Sequence, residues 1–150
     1  MTQELAPETR AFLERRHALF IDGRHVEPLK PATLEVTNPS TEERIATIAL
    51  GDAADIDAAV ASARRAFKGP WSKMTPDERT RVLLDFARLV ESRARMFTEL
   101  SVLDNGMPWV IGESTAMFTA MFLRYYAGWV SKITGHTLPS TGGGRRRESA

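Results

Sequence analysis

Cysteine is absent from all 150 residues. Its absence excludes a disulfide framework, a thiolate metal site and a thiol nucleophile, and makes a reducing, cytoplasmic compartment the simplest expectation. An excess of one charge is lacking too: 20 basic against 19 acidic residues leave a formal charge of +1. No global field is present to recruit nucleic acid or an anionic membrane, so any partner must be argued locally. Long apolar runs are also missing. The most apolar region, residues 116–130, is interrupted by Thr119, Arg124 and two tyrosines, and falls short of the roughly 18 to 20 apolar residues that a bilayer span needs. The opening segment carries Glu4, Glu8 and Glu14 among its basic residues, without the uninterrupted apolar stretch of a secretory signal.

Catalytic and metal-binding patterns are equally scarce. His17, His25 and His136 are scattered with no carboxylate cluster beside them, which suggests neither a metal centre nor a catalytic dyad. There is no Gly-x-Ser-x-Gly elbow. Gly142-Gly143-Gly144 lacks the preceding strand and following helix that frame a dinucleotide fingerprint, and reads as a flexible linker. Arg145-Arg146-Arg147 on that glycine leash reads as a solvated end rather than a phosphate grip.

What is present is an ordinary globular composition. At 43% hydrophobic and 26% charged residues, wholesale disorder is excluded, and a chain of this length has room for a core. Leu19-Phe20-Ile21 runs into Asp22-Gly23, a two-residue turn signal that predicts a hairpin. Thr33 to Thr37 alternates apolar and polar, Asn38-Pro39-Ser40-Thr41 punctuates it, and Ile45 to Leu50 resumes a strand pattern that Gly51 stops. Three or four short strands are expected.

From Asp52 the period becomes helical. Ile56, Val60, Ala63 and Phe67 recur on one stripe, Asp52 suits an N-cap, and Gly69-Pro70 closes the element. A second helix opens at Thr75-Pro76-Asp77-Glu78, where threonine caps, proline suits the first helical position and the acids complement the helix dipole. Val82, Leu83, Phe86, Leu89 and Val90 are its predicted buried face. A continuation through Phe97, Leu100 and Leu103, as one long helix or two abutting ones, stops at Asn105-Gly106. The last helix, over roughly 113–132, places Met117, Met121, Tyr125 and Val130 near one stripe and Phe118, Phe122 and Trp129 beside it. That apolar surface is wide enough to require a cover. Strands followed by helices suggest, by themselves, an α+β piece.

Several stretches, in order, resemble the aldehyde dehydrogenase family: Phe20-Ile21-Asp22-Gly23, Val36-Thr37-Asn38-Pro39-Ser40-Thr41, Gly51-Asp52 with Ile56 to Val60, and Gly69-Pro70-Trp71-Ser72. The series continues through Pro76, Arg79, Leu103-Asp104-Asn105-Gly106, Pro108, Arg124-Tyr125-Tyr126-Ala127-Gly128-Trp129, Gly135 and Pro139. The resemblance implies an α/β enzyme with a Rossmann-type cofactor domain, a catalytic domain and an oligomerisation arm. Of these the chain carries only the N-terminal strands and three or four helices. The expected organisation is an N-terminal helix or arm over 1–18, the N-terminal part of the dehydrogenase domain over 19–139, and a Gly/Arg tail over 140–150.

In that family a cysteine thiolate attacks the carbonyl, and the thiohemiacetal then releases hydride to NAD or NADP. The resemblance therefore implies a chain cut off before its catalytic residues and inactive alone, with no catalytic, cofactor-binding or metal residue of its own and no cofactor bound. It places Phe118, with Phe122, on one wall of the aldehyde tunnel; core aromatics on a wide apolar face are the alternative. Asp104 and the carbonyl of Thr37 help hold a cation in some relatives. Two oxygen ligands cannot enclose a cation that takes about six, so Asp104 is read as a helix-end hydrogen-bonding residue. Pro70-Trp71 and Pro108-Trp109 read as packing or turn residues. The expected partners are an aldehyde in a complete enzyme, and a complementary dehydrogenase chain or a second copy, with neither nucleic acid nor membrane. The rival reading is a non-catalytic module that docks through its last helix and the strand after Gly135.

Overall fold

The computed structural model describes residues 4–135. The Gly/Arg tail, His136 and Pro139 lie outside the described residues. The chain runs α1 (Pro7–Glu14), β1 (Leu19–Ile21), β2 (Arg24–Val26), β3 (Thr33–Thr37), β4 (Arg44–Ala49), α2 (Ala53–Lys68), α3 (Pro70–Lys73), α4 (Pro76–Ser92), α5 (Ala94–Asn105) and α6 (Trp109–Ala127), followed by a 3-10 turn over Val130–Lys132.

The strands form two separate antiparallel hairpins. In β1–β2, Leu19 faces Val26 and Ile21 faces Arg24. Asp22 and Gly23, with φ of 57° and 75°, make the tight connection whose twist matches the strands. In β3–β4, Thr33 faces Ala49 and Leu34 faces Ile48, with a bulge at Val36/Thr37. Its longer connection is organised by Asn38: the backbone N–H of Asn38 donates to Glu43 O at 2.9 Å, and its Oδ1 accepts from Ser40 N at 2.8 Å. This is the hydrogen bonding that makes asparagine a turn residue. His17 bridges to Ile48, which ties the segment after α1 to β4.

Helix starts follow local chemistry. At α2 the Asp52 carboxylate accepts from Ala54 N and Asp55 N, and Asp55 reciprocates from Asp52 N at 3.0 Å. At α4, Thr75 Oγ1 accepts from Glu78 N at 3.3 Å while Glu78 Oε2 accepts from Thr75 N at 2.7 Å. Both are complete capping boxes. A single residue, Arg93, separates α4 from α5. Gly106, at φ 69°, ends α5 and donates to Val102 O, a left-handed conformation that glycine adopts without a Cβ penalty.

The core sits where α4, α5 and α6 pack, and it is built largely of small residues. Ala87 and Val90 of α4, Met96 and Thr98 of α5, and Gly112, Ala116, Ala120 and Ala127 of α6 are buried. A Cβ on Gly112 would lie 3.0 Å from Thr98 Cγ2, so α5 and α6 approach closely at that point. Thr80 Oγ1 donates to Ala127 O at 3.3 Å between α4 and α6. The large apolar residues expected in the core lie elsewhere. On α4, Val82, Phe86 and Leu89 are exposed, and only Val90 of the predicted stripe is fully buried. Ile56, Val60 and Phe67 of α2 are exposed too. The last helix begins at Trp109, four residues before the expected 113, and ends at Ala127. Its buried side is the small-residue face, because the helices approach too closely for the large side chains to lie between them.

Candidate functional site

Phe118 and Phe122 lie four residues apart on α6, so they stack one turn above the other on the same face. They are 48% and 56% exposed within this chain. Met117, Met121 and Tyr125 form the neighbouring row and are also exposed. Tyr125 meets Tyr126 edge-on, with ring centroids 5.3 Å apart, and lies 6.2 Å from Trp129. A thioether-and-aromatic face of this kind accepts apolar ligands or apolar protein surface.

The helix that carries the face makes its contacts from behind. Arg124 makes a bidentate pair with Glu91 of α4. The hydrogen bond from Arg124 holds the Glu91 carboxyl below the ordinary range, and the same bond raises the Arg124 guanidinium. With Thr80 on Ala127 and Thr98 against Gly112, α6 is anchored along its length, and the side facing Phe118 and Phe122 stays open.

The other flagged residues are brought together at one end of the core. The turn after α5 abuts the β3–β4 loop, since a Cβ on Gly106 would lie 3.4 Å from Pro39 Cγ. The Asn38-Pro39-Ser40 and Asp104-Asn105-Gly106 stretches are therefore neighbours. Asp104 is exposed, and the helix-end hydrogen bond read for it is made by Asn105, whose Oδ1 accepts from Met107 N at 3.0 Å. Among the described residues no group of three or more His, Asp or Glu side chains is arranged to hold a metal ion. No described helix is long and apolar enough to cross a membrane.

A dinucleotide cradle requires a strand, a glycine-rich turn and a helix N-terminus in a parallel βαβ unit. Both described strand pairs are antiparallel, unlike the parallel strands of such a unit. Trp71 of α3 is 40% exposed; Arg79 sits over its ring at 5.7 Å and donates to its carbonyl at 3.2 Å. Trp109 instead donates through Nε1 to Glu113 at 2.8 Å.

Two buried acids escaped the sequence reading. Asp55 is the reciprocal member of the α2 capping box and accepts from Leu29 N at 3.2 Å, which pins the loop after β2. Its position three residues after Asp52 was the available signal. Glu99 is 1% exposed, and the signal for it was a charged side chain three residues after Met96, on the apolar side of α5.

Residues 25–149 match the model of the aldehyde dehydrogenase family. Among curated relatives, the chain is 38% identical over 146 residues to the aldehyde dehydrogenase DhaS of Bacillus subtilis, which covers 95% of this chain and 29% of that protein. It is 46% identical over 127 residues to the mitochondrial aldehyde dehydrogenase family 2 member B4 of Arabidopsis thaliana, covering 83% and 23%. Among solved structures, the NAD+ complex of an aldehyde dehydrogenase from Bacillus cereus superposes with a TM-score of 0.88 at 39% identity, over 92% of this chain and 28% of that one. The chain thus spans less than a third of the length of each.

Proposed function

Because the chain belongs to the aldehyde dehydrogenase family, we propose that it serves the NAD(P)-dependent oxidation of an aldehyde to a carboxylic acid. In this reading it supplies the N-terminal layer of the α/β enzyme and, through Phe118 and Phe122, one wall of the aldehyde's route to the reaction centre. The observation that carries the reading is the exposed aromatic pair on α6 within a chain that matches the family along residues 25–149. The NAD+ held by the Bacillus cereus neighbour supports a nicotinamide cofactor for the whole enzyme. These 150 residues contain no thiol, so nucleophile and cofactor cradle are assigned to the remaining length of the family fold. The chain alone is expected to be inactive. A cytoplasmic location is part of this proposal, and subcellular fractionation tests it.

Two assays test the proposal. The purified chain, given NAD or NADP and a panel of aldehydes, should reduce no nicotinamide; steady aldehyde-dependent reduction would overturn its assigned inactivity. The chain grafted in place of the matching residues of the Bacillus subtilis relative should yield an active enzyme. In that chimera Phe118→Ala should shift kcat/KM between small and bulky aldehydes on the order of tenfold, the scale of a reshaped apolar pocket. Unchanged selectivity would remove Phe118 from the substrate's route.

A second reading, a non-catalytic docking module, is favoured by the apolar faces of α2 and α6, both open in this chain. The occupant would be a complementary dehydrogenase chain or a second copy. The strand after Gly135 invoked for this docking lies outside the described residues. Sedimentation of the chain across a concentration series tests self-association, and a concentration-independent monomer would leave only the complementary chain.

A further inference from the structure

Helix α1 has eight residues and no side-chain cap of its own. A helix that short is marginal in water and persists where tertiary contacts hold it. Its N-terminus is satisfied from 93 residues away: both carboxylate oxygens of Glu99 lie 3.1 Å from Ala6 N, and Glu99 also accepts from Thr9 Oγ1. Arg95 completes the cluster, donating from Nε to Glu99 at 2.9 Å and from Nη2 to Glu4 O at 3.1 Å. Thr9 and Glu99 are both buried. Two exposed ion pairs, Arg93 with Glu8 and, within the N-terminal segment itself, Arg10 with Glu4, contribute little, and the apolar side chains of Phe12 and Leu13 supply the other tie.

One turn further along, Phe12 and Leu13 close one side of a cavity of about 310 Å³ whose other walls include Val36, Ile48, Phe97 and Leu100. We infer that α1 is a releasable strap, latched to α5 by the Glu99 carboxylate acting as its N-cap from a distance, and that loss of this latch frees α1 and opens the apolar groove beneath it. The carboxylate is well suited to the task. Burial alone pushes Glu99 up, but the Thr9, Arg95 and Ala6 hydrogen bonds outweigh it and leave the group below its ordinary 4.5. A lowered carboxyl contributes stability above its ordinary value and loses it as the pH falls through the folded value. The latch therefore opens in acid, not at neutrality.

Charged groups around Glu99 are Glu4, Glu8 and Arg10 from the α1 region, Arg93 from the junction before α5 and Arg95 from α5. Glu113 of α6 lines the adjoining cavity with Arg95, and His17 lines the groove itself. The latch is separated from these neighbours by comparing Glu99→Gln and Thr9→Val with the unaltered chain, using hydrogen exchange resolved by segment and binding of an apolar fluorescent dye. Both variants should raise exchange in residues 7–14 by about tenfold or more while α4 and α6 stay within about twofold, as for local opening of one unit. Both should also bind more dye. Lowering the pH should reproduce this in the unaltered chain and add nothing in Glu99→Gln. Unchanged protection of α1 in both variants would overturn the strap, as would simultaneous loss of protection in α4 and α6. An acid response that persists in Glu99→Gln would remove the carboxylate as the latch.

Discussion

Helices α2 and α4 begin alike and end up in different surroundings. Each opens with a complete capping box, Asp52 with Asp55 and Thr75 with Glu78, and each carries an apolar stripe at helical spacing. Yet α4 packs against α6 through Ala87 and Val90, whereas α2 holds to the β1–β2 hairpin by its polar edge. Ser62 Oγ donates to Asp22 at 3.0 Å, and Arg65 pairs with the same carboxylate at 3.3 Å. The Ser62 hydrogen bond, followed by Arg65, holds the Asp22 carboxyl below its ordinary range. Phe67, 73% exposed, marks the opposite side of α2 as open. A good local helix is therefore compatible with either burial or exposure. The relatives this chain resembles run to more than three times its length.

The contrast can be broken most sharply in the small-residue core. Ala120→Leu inserts a large side chain at a position with no exposure and should cost about 1–3 kcal/mol, the scale of overpacking, read as a lower urea midpoint at unchanged slope. Ile56→Ser on α2 should move the same midpoint by no more than about 0.5 kcal/mol, as an exposed site does. In the grafted full-length enzyme it should become destabilising, and an equal, negligible effect in both settings would show that nothing covers α2.

Gly106→Ala forces a side chain into φ 69° and should cost about 1–2 kcal/mol, measured in the same unfolding experiment. Thr75→Ala should follow at about 1 kcal/mol for a lost cap, lowering the midpoint because α4 belongs to the core. Asp52→Ala should instead fray α2 locally, visible as faster amide exchange there with little change in the midpoint. The smallest effect belongs to Glu91→Gln, since the pair with Arg124 is half-exposed. Its contribution should shrink with added salt. Because the Arg124 hydrogen bond lowers Glu91, that contribution is present above the ordinary glutamate value and fades as the pH drops through the folded one, which a pH series of urea midpoints would detect.

Much of the fold was legible residue by residue. The Asp22-Gly23 turn, the caps at Asp52 and Thr75 and the stop at Asn105-Gly106 lie where the sequence reading puts them, because each is decided by hydrogen bonds and backbone angles within a few residues. The buried faces were misread. Phe86 and Leu89 satisfy every criterion for a core stripe and still face outward, while Ala116, Ala120 and Gly112 carry the contact. Of the candidate site, Phe118 and Phe122 could be placed on one helix face by their spacing alone. What lay behind that face, the Glu91–Arg124 pair and the close approach at Gly112, joins residues 14 to 33 positions apart in the chain and left no local pattern to read.

Sequence alone determined where helices and turns start and stop, that no thiol chemistry resides in these residues, and which family the ordered motifs resemble. The tertiary structure decided which side of each helix is core, that Glu99 caps a helix 93 residues away, and that the apolar faces of α2 and α6 stay open. The division has a physical cause: caps and turns satisfy backbone groups with neighbours a few residues away, whereas a buried face is chosen by how closely two helix axes can approach, which depends on both partners at once.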